Sequence, residues 1–365
     1  MKLATAIVSL LSAASVAADG TTHIRRSRRL NQDSSCLEIT ALGVLGGPVT
    51  DMGLAQSSTL ITYGTVNDNC TSGVKLLFDI GRGAVTNLSK KWNFGTKDID
   101  AIFITHIHSD HVNDLSIFLQ NLWHFNGNPV DIVCAQDALV TASDGSSRTM
   151  SCQQLIEHID DPFTASGEIA QRKAENPARN PEGPSGLANT ILFPPAEEPE
   201  LVWESGDVQV KAIRTNHVGG SAAYRVDTPA GSVVISGDAS NDNGDPIARP
   251  YSTSDQVELL ANGTDVLVHA VIHPTALQSA PGEPGLPAAI YNRQSTAEDV
   301  GAMAQRLGAA GLILTHQIPT VGSNRFQNPL NKNDYRKIIA DAGGYTGKIL
   351  VATDMDSVRI PKNQS

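Results

Sequence analysis

One heptapeptide constrains this chain more than any other stretch: Thr105-His106-Ile107-His108-Ser109-Asp110-His111, directly after the apolar residues 101–104. Three imidazoles and a carboxylate packed this closely make a poor core. Each neutral imidazole needs a hydrogen-bond partner, and a buried carboxylate is costly unless paired or bound to metal. Alternate side chains of an extended segment share a face, so His106 and His108 point the same way and can grip one ion. A turn then swings Asp110 and His111 toward a second. A fold that accepts this segment must deliver the end of a buried strand to a polar cleft.

The rest of the chain repeats that habit. Residues 37–45 read as a strand running into Gly46-Gly47-Pro48, with 58–63 as its partner, and 74–78 end at Asp79-Ile80-Gly81. Residues 208–213 alternate and lead to Asn216-His217. Residues 233–235 run into Ser236-Gly237-Asp238, 266–268 into His269, and 312–314 into Thr315-His316. Strand after strand finishes on a residue able to hold metal, as if the ends met along one sheet edge. Between them, Leu115, Phe118, Leu119 and Leu122 mark one face of an amphipathic helix. Ser295 with Glu298 forms a capping box that predicts a helix ending at Gly308. Two stretches break the rhythm: residues 162–199 hold seven prolines and residues 274–287 hold four. Each is either a plain surface loop or a wall over the site, since long loops in compact domains are often functional. His124 and His158 read as surface or internally satisfied histidines.

With 365 residues, 40% apolar, the chain can build one large core or two ordinary ones. Lys2, the apolar run 3–11 and the small residues Ser15-Val16-Ala17-Ala18 read as a signal peptide over residues 1–18. Residues 19–35 form a basic leader carrying Arg25, Arg26, Arg28 and Arg29, with a cleavage site after Arg29. Residues 36–365 are then a single exported domain. No segment approaches the length of a membrane span. Removal of the leader leaves 22 basic against 37 acidic residues, a balance that repels polyanions and argues against a nucleic-acid partner. The four cysteines allow three pairings. Proximity favours Cys36 with Cys70 and Cys134 with Cys152. Sequons stand at Asn69, Asn87, Asn262 and Asn363.

The pattern His-x-His-x-Asp-His after a hydrophobic strand resembles the signature of the metallo-β-lactamase superfamily. The likeness extends over residues 37–358, through Gly46-Gly47-Pro48, Asp79, His217, Ser236-Gly237-Asp238 and Thr315-His316 in order. Within the superfamily it is most similar to the ribonuclease Z and arylsulfatase-like branch. The resemblance implies an α/β fold, a four-layer αββα sandwich. It implies two zinc ions per chain, other divalent transition metals being possible. His106, His108 and His217 would hold the first, and Asp110, His111 and His316 the second. Asp238 would bridge the two, and Asp79 would stand behind the ligands and orient one imidazole. Asp110 also counts among the catalytic candidates. His269 occupies the place of a proton-donating histidine in ribonuclease Z. The acidic residue that would follow it is replaced here by Ala270, which weakens that role. Tyr224-Arg225 resembles a structural pair of the same branch.

Such a centre suits a metal-dependent hydrolase acting on ester bonds. The expected substrate is a small ester, an aryl sulfate or phosphodiester. Ribonuclease Z-like phosphodiesterase, lactonase and β-lactamase activities are the alternatives. A secreted binding protein without activity is disfavoured, because every ligand is retained. Oligomeric state is not legible in the sequence.

Overall fold

Along the expected strands, apolar residues occupy both alternating faces, and the structure buries both. The computed structural model describes residues 35–92, 95–141, 145–241, 251–326 and 329–361. The expected signal peptide, all but the last residue of the basic leader, and the Asn363 sequon lie outside these residues. Seven strands form a first sheet: β1 (Ser35–Gly43), β2 (Ser58–Thr65), β3 (Lys75–Phe78), β4 (Ala101–Phe103), β5 (Val130–Ala135), β8 (Ala188–Phe193) and β16 (Ser357–Pro361). Their order is β16-β1-β2-β3-β4-β5-β8. A small hairpin, β6 (Ala138–Thr141) with β7 (Ser147–Met150), stands apart. The second sheet comprises β9 (Glu200–Ser205), β10 (Val208–Arg214), β11 (Ala222–Thr228), β12 (Gly231–Ile235), β13 (Val266–Ile272), β14 (Gly311–Ile318) and β15 (Lys348–Val351). Its order is β15-β14-β13-β12-β11-β10-β9.

Period-two alternation explains the layering. From β4, Ala101 and Phe103 enter the core between the sheets, while Ile102 and Ile104 enter the core under the helices Ala84–Lys91 and Leu115–His124. The second sheet does likewise: Val233 and Ile235 face the first sheet, and Val234 faces the helices Asp255–Leu260 and Ala297–Leu307. Helix, sheet, sheet, helix is the expected four-layer sandwich. Phe78 and Phe103 stack between the sheets at 4.8 Å, and Tyr224 closes over Phe103 at 5.4 Å. Each such buried side chain is worth about 1.5–3 kcal/mol relative to exposure. Tyr224 Oη donates to the Ile104 carbonyl, and Arg225 donates to the Leu260 and Asn262 carbonyls, so the pair serves the fold.

Several local expectations meet tertiary detail. Cys36 bonds Cys70 and Cys134 bonds Cys152, as proximity suggested. The helix Leu115–His124 buries Leu115, Phe118, Leu119 and Leu122. The later helix ends at Gly308, but its N-cap position is Thr296, whose side chain makes no cap hydrogen bond, and the Ser295 hydroxyl donates to the Ala239 carbonyl. Asn87 is buried and donates to the Leu42 carbonyl and the Asp354 carboxylate, so this sequon is closed in the folded chain. Asn69 and Asn262 are exposed. Residues 162–199 do not wall a site: they form the helix Glu168–Glu175 and the edge strand β8, packed through Ile169 and Leu187 on the helix Leu115–His124.

Candidate metal centre

Parallel pairing of β3 with β4 and of β12, β13 and β14 with one another sends several chain ends to one edge. There β3 gives Asp79, β4 gives His106 to His111, β12 gives Asp238, and β14 gives His316. The loop after β10 adds His217. The structure brings all seven expected ligands together in three groups: His106, His108 and His217; His106, His111 and Asp238; and Asp110, His111 and His316. Within each group the ligand atoms lie within 4.8 Å of one another.

Two local devices aim these side chains. In the β13–β14 pairing Ala270 faces Thr315 and Val271 faces Gln317, so His316 is bulged out of register. Its φ of 42° lies in the left-handed region, as does that of Asp79 at 57°. Such backbone is costly for a non-glycine residue and gathers at functional sites. Gly46 makes room for the bulge: a Cβ there would lie 2.9 Å from His316 Nδ1 and 2.6 Å from the Ile318 side chain. Asp79 is held by Thr105, whose amide donates to Oδ1 at 2.8 Å and whose hydroxyl donates to Oδ2 at 2.9 Å. Oδ2 also lies 2.7 Å from His111 Nδ1, which leaves His111 Nε2 to face the cleft.

The residues fit a cation on their own chemistry. His106 Nε2 lies 3.0 Å from His108 Nδ1, and His217 Nε2 lies 3.3 Å from the same atom. His111 Nε2 stands 3.5 Å from Asp238 Oδ1, and His316 Nε2 3.1 Å from Asp110 Oδ2. His111 Nε2, Asp238 Oδ1 and His316 Nδ1 are buried without a hydrogen-bond partner. Lone pairs converging in a buried cleft are a liability that a metal ion would relieve. Burial, reinforced by the imidazoles of His111 and His217, drives His106 well below the usual histidine range, toward the neutral form that ligates. Burial opposes charge on His111 as well, but Asp79, Asp238 and Asp110 outweigh it and lift its pKa to about 9. That surplus of negative potential is what a cation site requires.

Five of the ligands, His108, Asp110, His217, Asp238 and His316, border a cavity of about 390 Å³ that Leu286 and Ile290 also line. Here the second proline-rich stretch reaches the chemistry. Sequence reasoning missed its end: Gln294 Nε2 donates to Asp238 Oδ2 at 2.9 Å, and the Arg293 carbonyl lies 3.0 Å from His217 Nδ1. Their position directly before the Ser295 capping box was the available signal. His269 is fully buried, with Nδ1 2.6 Å from the Ala270 carbonyl, and burial pushes its pKa down to about 4. It does not line the cavity. His158 is exposed beside Asp161, and His124 lies against Trp123, both remote from the centre.

A family profile described as the anti-Pycsar protein Apyc1 matches residues 50–144. Ribonuclease Z of Mycobacterium bovis (strain BCG / Pasteur 1173P2) is 26% identical over 333 residues, covering 89% of this chain and 98% of the relative. Among solved structures, the metallo-β-lactamase fold protein YhfI of Bacillus subtilis superimposes with a TM-score of 0.54 at 16% identity, covering 89% of this chain and 99% of that one. The short form of human tRNase Z superimposes with a TM-score of 0.53 at 18% identity, with the same coverage.

Proposed function

We propose that this chain, a metal-dependent hydrolase that belongs to the metallo-β-lactamase superfamily and its ribonuclease Z-like branch, cleaves phosphodiesters at a two-zinc centre. The observation that carries this reading is the convergence of seven imidazole and carboxylate ligands, three of them with orphaned buried atoms, beside one cavity. Imidazole nitrogen with carboxylate oxygen is a donor set suited to zinc. Bound here, two such ions would supply Lewis acidity toward water and toward the ester oxygens.

The chain's own residues hold that centre in shape. Thr105 and Asp79 fix the tautomer and direction of His111, Gln294 orients Asp238, and the Arg293 carbonyl orients His217. His269 supplies no proton to the leaving group in this reading. Its neutral, buried ring lacks both the charge and the access that a general acid needs. The aryl sulfate that the sequence put first draws no support from a likeness to ribonuclease Z, so the diester takes its place. A formal charge of −11 and a cavity of this size favour a small diester over a folded RNA.

The chromogenic diester bis(p-nitrophenyl) phosphate, p-nitrophenyl sulfate, a lactone and a β-lactam, tried on the zinc-loaded protein, test this. We expect the highest kcat/KM on the diester, and a sulfate preference would overturn the reading. We further place the protein outside the cell, after removal of residues 1–18 and of the leader up to Arg29. Two disulfides with no free cysteine among the described residues support an oxidising compartment. Mass spectrometry of material recovered from a eukaryotic host's medium would refute this by finding Met1 intact.

A further inference from the structure

The cavity is framed by more than ligands. Two arginines, Arg293 and Arg325, stand on its border, both exposed. Arg293 sits beside the first ligand group, since its own carbonyl faces His217 at 3.0 Å. Arg325 sits beside the second. Its Nη1 lies 3.7 Å from where a Cβ of Gly47 would be, and the Gly47 amide lies 3.2 Å from His316 Nε2. The Arg293 backbone thus stands at one ligand group and the Arg325 guanidinium near the other, and both residues border the cavity.

Among the described residues neither guanidinium is held in an ion pair, though the Asp51 carboxylate is near enough to Arg325 to act on it. Arg172, Arg214, Arg225, Arg306 and Arg359 each make an ion pair with a carboxylate. No carboxylate among the described residues lies within ion-pair distance of the Arg293 or Arg325 guanidinium. Arg325 lies over the Phe326 ring at 4.9 Å, which fixes its stem without using its donors. In a chain with 38 acidic and 27 basic residues, two cations at one cavity mouth that make no ion pair among the described residues are suited to an anionic ligand. The same cavity is lined by the apolar side chains of Leu286 and Ile290.

We infer that Arg293 and Arg325 are specificity-determining residues that hold the charged oxygens of the substrate, an anionic ester whose apolar body lies against Leu286 and Ile290. The inference rests on the phosphodiesterase reading for the reaction, but not for the anion. A planar guanidinium meets phosphate oxygens with two parallel donors, which a neutral ester cannot exploit. The pair therefore sorts substrates by charge, while the ligand set performs the cleavage.

The variants R293M and R325M keep the stem length and the backbone carbonyl and remove only the charged donors. Zinc-loaded wild type and variants are assayed on bis(p-nitrophenyl) phosphate and on neutral p-nitrophenyl acetate, which share a leaving group. Each variant should raise KM for the diester about tenfold or more and lower the ratio of diester to neutral-ester kcat/KM by a similar factor, as loss of a charge-assisted hydrogen bond predicts. Zinc content should stay at the wild-type level. An equal fall on both substrates would make the arginines structural, and an unmoved diester KM would remove them from recognition; either overturns the inference. Calorimetric binding of phenylphosphonate separates this from the function proposed above. If the wild type does not cleave the diester, that function fails. The arginine inference then stands on weaker phosphonate binding in both variants and falls if binding is unchanged.

Discussion

Residues 162–199 and residues 274–287 are alike in composition and unlike in what they pack against. The first segment leaves the far end of the first sheet, lays Ile169 and Leu187 under the helix Leu115–His124, and returns as β8 beside β5. The Asn180 carbonyl accepts from Trp123 Nε1, so even its irregular part is tied to the core. The second segment leaves the C-terminal end of β13, the edge where parallel strands deliver the ligands. It then folds back on itself through an isolated Leu277–Leu286 bridge. Loops at the carboxyl ends of parallel strands form binding crevices, whatever their composition. Proline content marks irregular backbone, and the strand end from which that backbone departs decides its use.

That contrast can be broken or sharpened by substitutions. Asp238→Ala gives the largest expected effect, because it removes the carboxylate between the two ligand groups and the partner of Gln294. Hydrolysis should vanish and elemental analysis should find the bound metal lost; full retention of metal would dissolve the proposed centre. Gln294→Met tests the tie between the turn that follows the second segment and that centre. Zinc affinity, titrated against a chelator, should fall about 10- to 100-fold, as for other groups that orient ligands. Unchanged affinity would leave the segment a mere wall.

Truncation then separates the two segments. Leu286→Ala or Ile290→Ala should raise KM roughly fivefold through lost apolar contact, with the melting temperature unchanged. Ile169→Ala should do the reverse: stability falls by about 2–3 kcal/mol from the buried cavity it leaves, while kcat/KM holds. A catalytic defect in the Ile169 variant would undo the distinction.

A further effect concerns pH. The folded pKa of His269, about 4, lies below its unfolded value. As pH falls the unfolded chain therefore takes up this proton first. The stability tied to the neutral ring is complete above about pH 6.5 and is lost as pH falls toward 4, by about 3 kcal/mol at most. Urea unfolding of metal-free protein at neutral and acid pH should show a shallower loss in His269→Leu than in wild type. Parallel losses would mean that the ring is not held neutral.

Much of this was legible from residues alone. Apolar runs at period two located strands whose two faces serve two cores, and the spacing of Leu115, Phe118, Leu119 and Leu122 located the helix that covers one of them. The expected Ser295 cap is not made, and the Ser295 hydroxyl donates to the Ala239 carbonyl, a partner far away in sequence. Asn87 matched a glycosylation tripeptide, but the docking of its helix turned the amide inward.

The sequence by itself determined the chemistry available: which side chains can hold metal, and that each follows a buried strand. Alternation and helical period are local properties, carried by neighbours in the chain. Tertiary structure alone decided that Gln294 serves Asp238, that Arg293 and Arg325 border one cavity, and that His269 is sealed away from it. Those relations join residues across two sheets. They arise only when burial of the apolar faces brings the strand ends together, so no local pattern records them.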